Sequence, residues 1–423
     1  MAAKTIAASF IHRFLIINQA MQKYIPYGRQ CIEEEDIAAV VDVLRSDWLT
    51  TGPKVAEFER AFAGTVGAQY AVALSSGTAA LHAAVHALDL GPGDEAITTP
   101  YTFAATANCL LLQGARPVFA DVCESDLNID PAGVRRIIDA KYRGESGTLR
   151  NRETGGALRA IIPVHFAGCP ADMDGLAAIA REHNLVIIED ASHALGAKYE
   201  NNSIGSCSHS RLACFSTHPV KHIATGEGGM LVTNDEEVAA RARRFRNHGI
   251  TTDVRERVGR QRAWYYEMTD LGLNYRLTDI QCALGLAQLP RLGRFLKRRA
   301  EIADKYYRQL GDVAAITLPE YRRENAHAWH LFVMRLRLEA LSVGRDEVFS
   351  RMREMGIGVN VHYIPVHLHP YYRRRFGTKP GDFPVAEAAF AAAITLPLFP
   401  LMTDDEVDYV VDCVRKLVTR YSG

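Results

Sequence analysis

The central two thirds of the chain alternates short apolar runs with stretches whose apolar positions recur at helical spacing. Tyr70–Leu74 (YAVAL) reads as a strand covered on both faces, because an unbroken apolar run bounded by turn residues suits that environment. SSGT follows, then a helix predicted from Ala79 to about Leu88. Glu95–Thr98 leads into a loop over Thr99–Phe103 and a helix from Ala104. Further strands are predicted at Arg116–Ala120, Ala160–His165, Leu185–Glu189, Ala213–Ser216 and Met230–Thr233. Helical patterns at Asp174–His183 and Glu236–Asn247 lie between them. Such alternation, with Val- and Ile-rich runs, argues for an α/β domain on a mostly parallel sheet.

Two segments depart from that rhythm. Residues 141–157 (KYRGESGTLRNRETGGA) are polar and Gly-rich, and read as a surface loop before a strand. After about residue 285 a long basic helix, Leu289–Leu310, is followed by short strands around Trp329–Leu338. A helix near Arg345–Met355, the run GIGVNVHYIPVH and a final helix Thr403–Val418 complete the chain. The expected division is an N-terminal extension 1–23, a large domain 24–290 and a small α+β domain 291–423.

Composition narrows the class. The chain has 423 residues, 48% apolar and 23% charged, enough to bury a sizeable core. Its 49 basic and 49 acidic residues balance, so it carries no overall footprint for nucleic acid or an anionic membrane, and neither is expected as a partner. The eight cysteines form no CxxC pair, which suits buried thiols in a reducing cytoplasm, and no metal site is expected. Ala7–Asn18 is apolar but broken by His12 and Arg13, too short to span a membrane and without a clean cleavage site. With Met21 ahead of the first patterned segment, residues 1–20 read as an upstream extension or a misplaced start.

Three segments could carry chemistry. In SSGTAALHAAV (75–85) a strand gives way to a helix whose first-turn amides lack intrahelical partners. Gly77 permits close approach, and Ser76 and Thr78 add hydroxyls, so the joint can cradle a phosphate or merely cap the helix. It is no Walker loop, because the Gly-Lys-Ser/Thr ending is missing. In LVIIEDASHALGA (185–197), Asp190 follows a strand that should be buried, at the edge where α/β domains place their sites, with His193 three residues on. Asp190 could serve as an anion for a ligand or cap the next turn. In CFSTHPVKHIATGEGG (214–229), Lys221 sits in a Gly-rich, apolar-flanked loop that can desolvate its amine and make it a Schiff-base former. Ser216 lies where it could join the phosphate cradle.

At these residues the chain resembles the DegT/DnrJ/EryC1/StrS family of sugar aminotransferases, from about Tyr24 to the carboxyl end. The motifs that carry the resemblance are IPYGRQ, LTTGPKVAEFE, SSGTAALH, TFAATAN, EDASHALGA, FSTHPVKHIATGEGG, LGLNYRLTDIQ and VHYIPVHLHPYY. It implies the aspartate-aminotransferase-like fold of pyridoxal-phosphate enzymes (fold type I), with a large, mostly parallel sheet domain and a small C-terminal α+β domain. It implies pyridoxal 5′-phosphate as cofactor, with Lys221 as the Schiff-base and proton-shuttling lysine and Asp190 beside the pyridine nitrogen. His193 would contact the ring oxygen, Gly77, Thr78 and Ser216 would hold the phosphate, and Phe103 would stack on the ring. Asn274 would reach the partner's phosphate, which implies a homodimer with shared active sites.

Finer motifs resemble the branch that aminates C4 of a UDP-linked 4-keto-6-deoxy-N-acetylhexose in the pseudaminic acid pathway, with L-glutamate as donor. Tyr27, Tyr363 and His367 would then be sugar or nucleotide contacts, or else pack the domain interface. An Arg in Thr251–Tyr265 (TTDVRERVGRQRAWY) could serve the diphosphate. Alternatives are another nucleotide 4-keto-sugar (a UDP-4-keto-pentose, or the precursor of UDP-bacillosamine or GDP-perosamine) and a non-catalytic relative. A sugar dehydratase of the same fold has histidine at the Schiff-base position, so Lys221 argues against it. The pattern departs from relatives in the length of 141–157 and in Thr217, where a bulkier residue is usual.

Overall fold

The computed structural model describes residues 24–251, 264–322 and 324–422. The expected extension 1–23 and nearly all of the Arg-rich stretch at 251–265 lie outside the described residues.

A nine-stranded sheet organises the first part of the chain. Its main path runs Tyr70–Leu74, Gly229–Thr233, Leu212–Ser216, Val186–Asp190, Ala157–Ile162, Asp94–Thr98 and Arg116–Phe119. Gly229–Thr233 is antiparallel to both neighbours, and the pairings from Leu212–Ser216 to Arg116–Phe119 are parallel. These strands are nearly continuous apolar runs because helices cover both faces. Met173–His183 packs in one apolar cluster, and Gly77–Ala87, Ala105–Leu112 and Glu236–Phe245 in another.

The topology gathers three chain ends. Leu74 and Ser216 both pair with Gly229, and Cys214 pairs with Asp190. The segments after Leu74, Asp190 and Ser216 therefore leave the same edge of the sheet, where open α/β sheets bind ligands. The helix after Leu74 starts at Gly77, before the expected Ala79, because the Ser76 hydroxyl accepts the Ala79 amide at 3.0 Å and caps it.

The expected loop over 141–157 is instead a β-hairpin, Tyr142–Glu145 with Thr148–Asn151, and its second strand pairs with Ala157–Ile162. The buried carboxylate of Glu95 explains it. Glu95 accepts hydrogen bonds from the Tyr142 hydroxyl at 2.5 Å, the Asn151 amide at 2.8 Å and the Thr154 hydroxyl at 2.6 Å. Polar residues that read as solvated are thus tied inward to one acid. Glu95→Ala strands three donors, and is expected to cost about 2–4 kcal/mol. Urea unfolding that shows less than about 0.5 kcal/mol would mean the acid is not the hairpin's anchor.

A second apolar core joins the long helix Leu292–Leu310, the sheet of Ile316–Thr317, Phe332–Leu336 and Ala393–Leu396, and the helix Asp404–Tyr421. Ile25 belongs to this core too, and its amide donates to the Gly356 carbonyl at 2.9 Å. The first described residues thus pack on the C-terminal core before the chain enters the large sheet. Among the described residues no helix is long and apolar enough to cross a membrane.

Candidate active site

A cleft of about 490 Å³ opens between the sheet edge and the C-terminal unit. Gly77, Thr78, Asp190, His193, Ser216 and Lys221 all line it. Segments more than a hundred residues apart therefore meet in one cavity.

The floor is built for an anion. Helix Gly77–Ala87 points its N-terminus into the cleft, and its first-turn amides have no intrahelical acceptor. A Cβ on Gly77 would come within 2.9 Å of the Ser216 Cβ and 3.3 Å of its hydroxyl. Glycine is required there because the neighbouring strand end is so close.

Asp190 is buried at the end of its strand. One oxygen accepts the Ser192 amide at 3.1 Å and so caps the next turn. The other accepts the Thr106 hydroxyl at 2.7 Å, and Thr106 is 2.8 Å from the Thr102 hydroxyl. The carboxylate is fixed from two sides and still faces the cleft.

His193 is buried, with Nε2 3.0 Å from the Tyr363 hydroxyl, while its Nδ1 is buried without a partner among the described residues. Burial holds the ring well below the usual histidine range and keeps it neutral.

Lys221 rides on a loop closed at its neck. The Thr217 amide donates to the Gly228 carbonyl at 2.9 Å, and the Thr225 amide donates to the Thr217 carbonyl at 2.9 Å. The two threonine hydroxyls are 2.6 Å apart. Thr217 thus shapes the loop that presents the lysine. Burial lowers the Lys221 amine from 10.5 to about 8, with the Asp190 charge opposing and the Arg299 charge assisting. Such an amine is partly unprotonated near neutral pH and can attack a carbonyl.

The remaining candidates separate. Phe103 is 60% exposed and lines the cleft, with its ring 6.1 Å from that of Tyr363. Tyr27 and Tyr363 line it as well, and Tyr27 lies 5.6 Å from the His362 ring. His367 does not line it. It is fully buried, with Nε2 2.9 Å from Glu387 and its ring against Phe383, so the packing reading replaces the substrate-contact reading. Asn274 is exposed and off this cleft's lining.

Three participants were not anticipated: Thr106 behind Asp190, His330 beside Lys221, and Arg299 behind both. Arg299 had a signal in the pattern. It shares the apolar stripe of its helix with Phe295, Ile302 and Tyr306, where a cation is out of place.

An amine of lowered basicity, a fixed carboxylate and an anion cradle in one cavity are the parts that pyridoxal-phosphate chemistry needs. The family model for DegT/DnrJ/EryC1/StrS aminotransferases matches residues 30–415, and this chain belongs to that family. Its fold is the type I fold of pyridoxal-phosphate-dependent transferases, and its cofactor is pyridoxal phosphate. It is 41% identical over 401 residues to the spore coat polysaccharide biosynthesis protein SpsC of Bacillus subtilis, covering 95% of this chain and 98% of that one. Helicobacter pylori PseC, an aminotransferase of pseudaminic acid biosynthesis, superposes with a TM-score of 0.84 at 30% identity, over 94% of this chain and all of the other. The pyridoxal-phosphate form of "putative sugar aminotransferase Spr1654" of Streptococcus pneumoniae gives 0.81 at 29% identity, over 94% and 99%. The cleft fits the cofactor on its own chemistry: the first-turn amides of helix Gly77–Ala87 face it without intrahelical acceptors, and His193 Nδ1 is buried with no partner among the described residues.

Proposed function

We propose that the protein transfers an amino group from L-glutamate to C4 of a UDP-linked 4-keto-6-deoxy-N-acetylhexose, as in pseudaminic acid biosynthesis. The observation that carries the transaminase part is the meeting of Lys221, Asp190 and the Gly77–Ser216 cradle in one cleft. Similarity to PseC and the IPYGRQ and VHYIPVHLHPYY motifs support the choice of sugar.

Pyridoxal phosphate supplies an aldehyde that condenses with amines and a ring that withdraws electrons. Lys221 Nζ would be the amine that condenses with that aldehyde, and it would also take the proton from the α-carbon of glutamate and, in the second half, deliver one to C4 of the sugar. Asp190 would hold the ring nitrogen protonated, with Thr106 fixing the carboxylate's position. Gly77, Thr78 and Ser216 would hold the phosphate, His193 would meet the ring oxygen, and Phe103 would cover the ring face. Tyr27 and Tyr363 orient the sugar.

The reading includes the division near residue 290, a cytoplasmic setting and a homodimer. All eight cysteines are free, which suits a reducing compartment. Asn274 is exposed beside Leu271 and Leu273, which are 75% and 39% exposed, as an interface segment that reaches a partner's phosphate would be.

The test is incubation of the purified protein with L-glutamate and a panel of keto-sugars: the UDP-linked N-acetylhexose, a UDP-4-keto-pentose and GDP-4-keto-6-deoxymannose. Release of 2-oxoglutarate and a 4-amino product by NMR are expected with the first. Amination of another panel member alone would replace the substrate and keep the chemistry. Amination of none would overturn the reading.

A further inference from the structure

Arg299 lies mid-way along helix Leu292–Leu310 and is 1% exposed. A guanidinium is almost never fully buried without an acid, because desolvating it costs several kcal/mol. Among the described residues no carboxylate pairs with it. Its Nη1 instead donates to three backbone carbonyls, those of Trp329 at 3.1 Å, His330 at 3.3 Å and Leu398 at 3.0 Å. Its Nε has no partner among the described residues either. The positive charge is therefore held in place by dipoles and is not neutralised.

One of those carbonyls belongs to His330, whose Nε2 is 3.4 Å from Lys221 Nζ and whose Nδ1 is buried without a partner among the described residues. An orphaned N–H is rarer in protein interiors than an under-used acceptor, so the ring proton belongs on Nε2. An Nε2–H can donate to the lone pair of a neutral amine. It cannot donate to an ammonium, which has no lone pair.

We propose that Arg299 and His330 form a positioning device for Lys221 that favours the uncharged form of its amine where it must act as a nucleophile. The inference rests on Lys221 being the amine that condenses with the cofactor. Arg299 acts through its field and through the backbone of His330, and His330 acts by direct contact with Nζ.

The titratable and charged groups facing the amine are Asp190, His193, His222, His330, His362 and Arg299. Burial holds all four histidines neutral, so they supply no positive charge of their own. Asp190 favours the ammonium. Arg299 is the fixed cation that offsets it. The amine is reactive above its midpoint, and its nucleophilicity is lost to protonation as pH falls below it.

The experiment uses the cofactor-free protein and follows acetylation of Lys221 by acetic anhydride against pH, read by mass spectrometry. The wild-type midpoint is expected at about 8. Arg299→Met should raise it by about one pH unit. Arg299→Lys keeps the charge and should stay near the wild type. His330→Phe should raise the midpoint, whereas His330→Gln, which keeps an N–H donor, should not. Unchanged midpoints in Arg299→Met and His330→Phe overturn the proposal. If Arg299→Met does not fold, equal midpoints in the two His330 variants do so. Failure of the function itself has a separate signature: Lys221→Ala would bind pyridoxal phosphate with the same covalent lysine-linked absorbance as wild type, whatever the midpoints.

Discussion

Lys221→Ala is expected to reduce amine transfer by at least about four orders of magnitude and to remove the visible absorption band of the lysine-bound cofactor. The size follows from two losses at one atom. The variant has no amine to condense with the aldehyde, and none to carry the proton between substrate carbon and cofactor. Lys221→Arg should fail as badly, since a guanidinium stays protonated and cannot be a nucleophile at any working pH. That pair separates positive charge from nucleophilicity, because only the second is missing in arginine. Neither change should unfold the protein: Lys221 faces the cleft, and an alanine there relieves the cost of desolvating an amine. Turnover within about tenfold of wild type in either variant would remove Lys221 from the chemistry.

The residues of the candidate site were legible in the sequence to the extent that local rules place them. Strand, Ser-Gly-Thr and helix follow one another in a single stretch, so the cradle at Gly77 could be read without knowing the fold. Asp190 at a strand end and Lys221 in a Gly-flanked loop were readable for the same reason. What could not be read was which distant group stands behind each. Thr106 matters because its hydroxyl meets a carboxylate 84 residues away, and His330 because it meets an amine 109 residues away. No spacing rule encodes such pairs. The hairpin at 142–151 failed for a related reason: its polar residues turn inward to Glu95, about fifty residues earlier, and polarity alone says solvent. His367 shows the converse. It lies four residues from Tyr363, yet the 3-10 turn Val366–Leu368 takes it out of the cleft and onto Glu387. Arg299 was the one hidden participant with a visible mark, a cation inside an apolar stripe.

Asp190→Asn is the sharper test of how the site drives the chemistry, because it changes charge and leaves shape almost intact. The amide keeps one oxygen, which can still accept the Thr106 hydroxyl or the Ser192 amide, now bonded at 2.7 and 3.1 Å. What it cannot do is hold a proton on a pyridine nitrogen by opposite charge. Truncating one side of a buried charge pair typically costs 2–5 kcal/mol, so kcat is expected to fall by about two to three orders of magnitude. Cofactor retention should change much less, since Gly77, Thr78, Ser216 and the helix N-terminus do not depend on that charge. Removal of the negative charge also lowers the Lys221 midpoint further, because Asp190 is the group that favours the ammonium. The amine therefore becomes more available in Asp190→Asn while the reaction slows. A loss of rate accompanied by a downward shift in the lysine midpoint assigns the defect to the ring; wild-type kcat would show that the carboxylate serves only to cap the turn at Ser192.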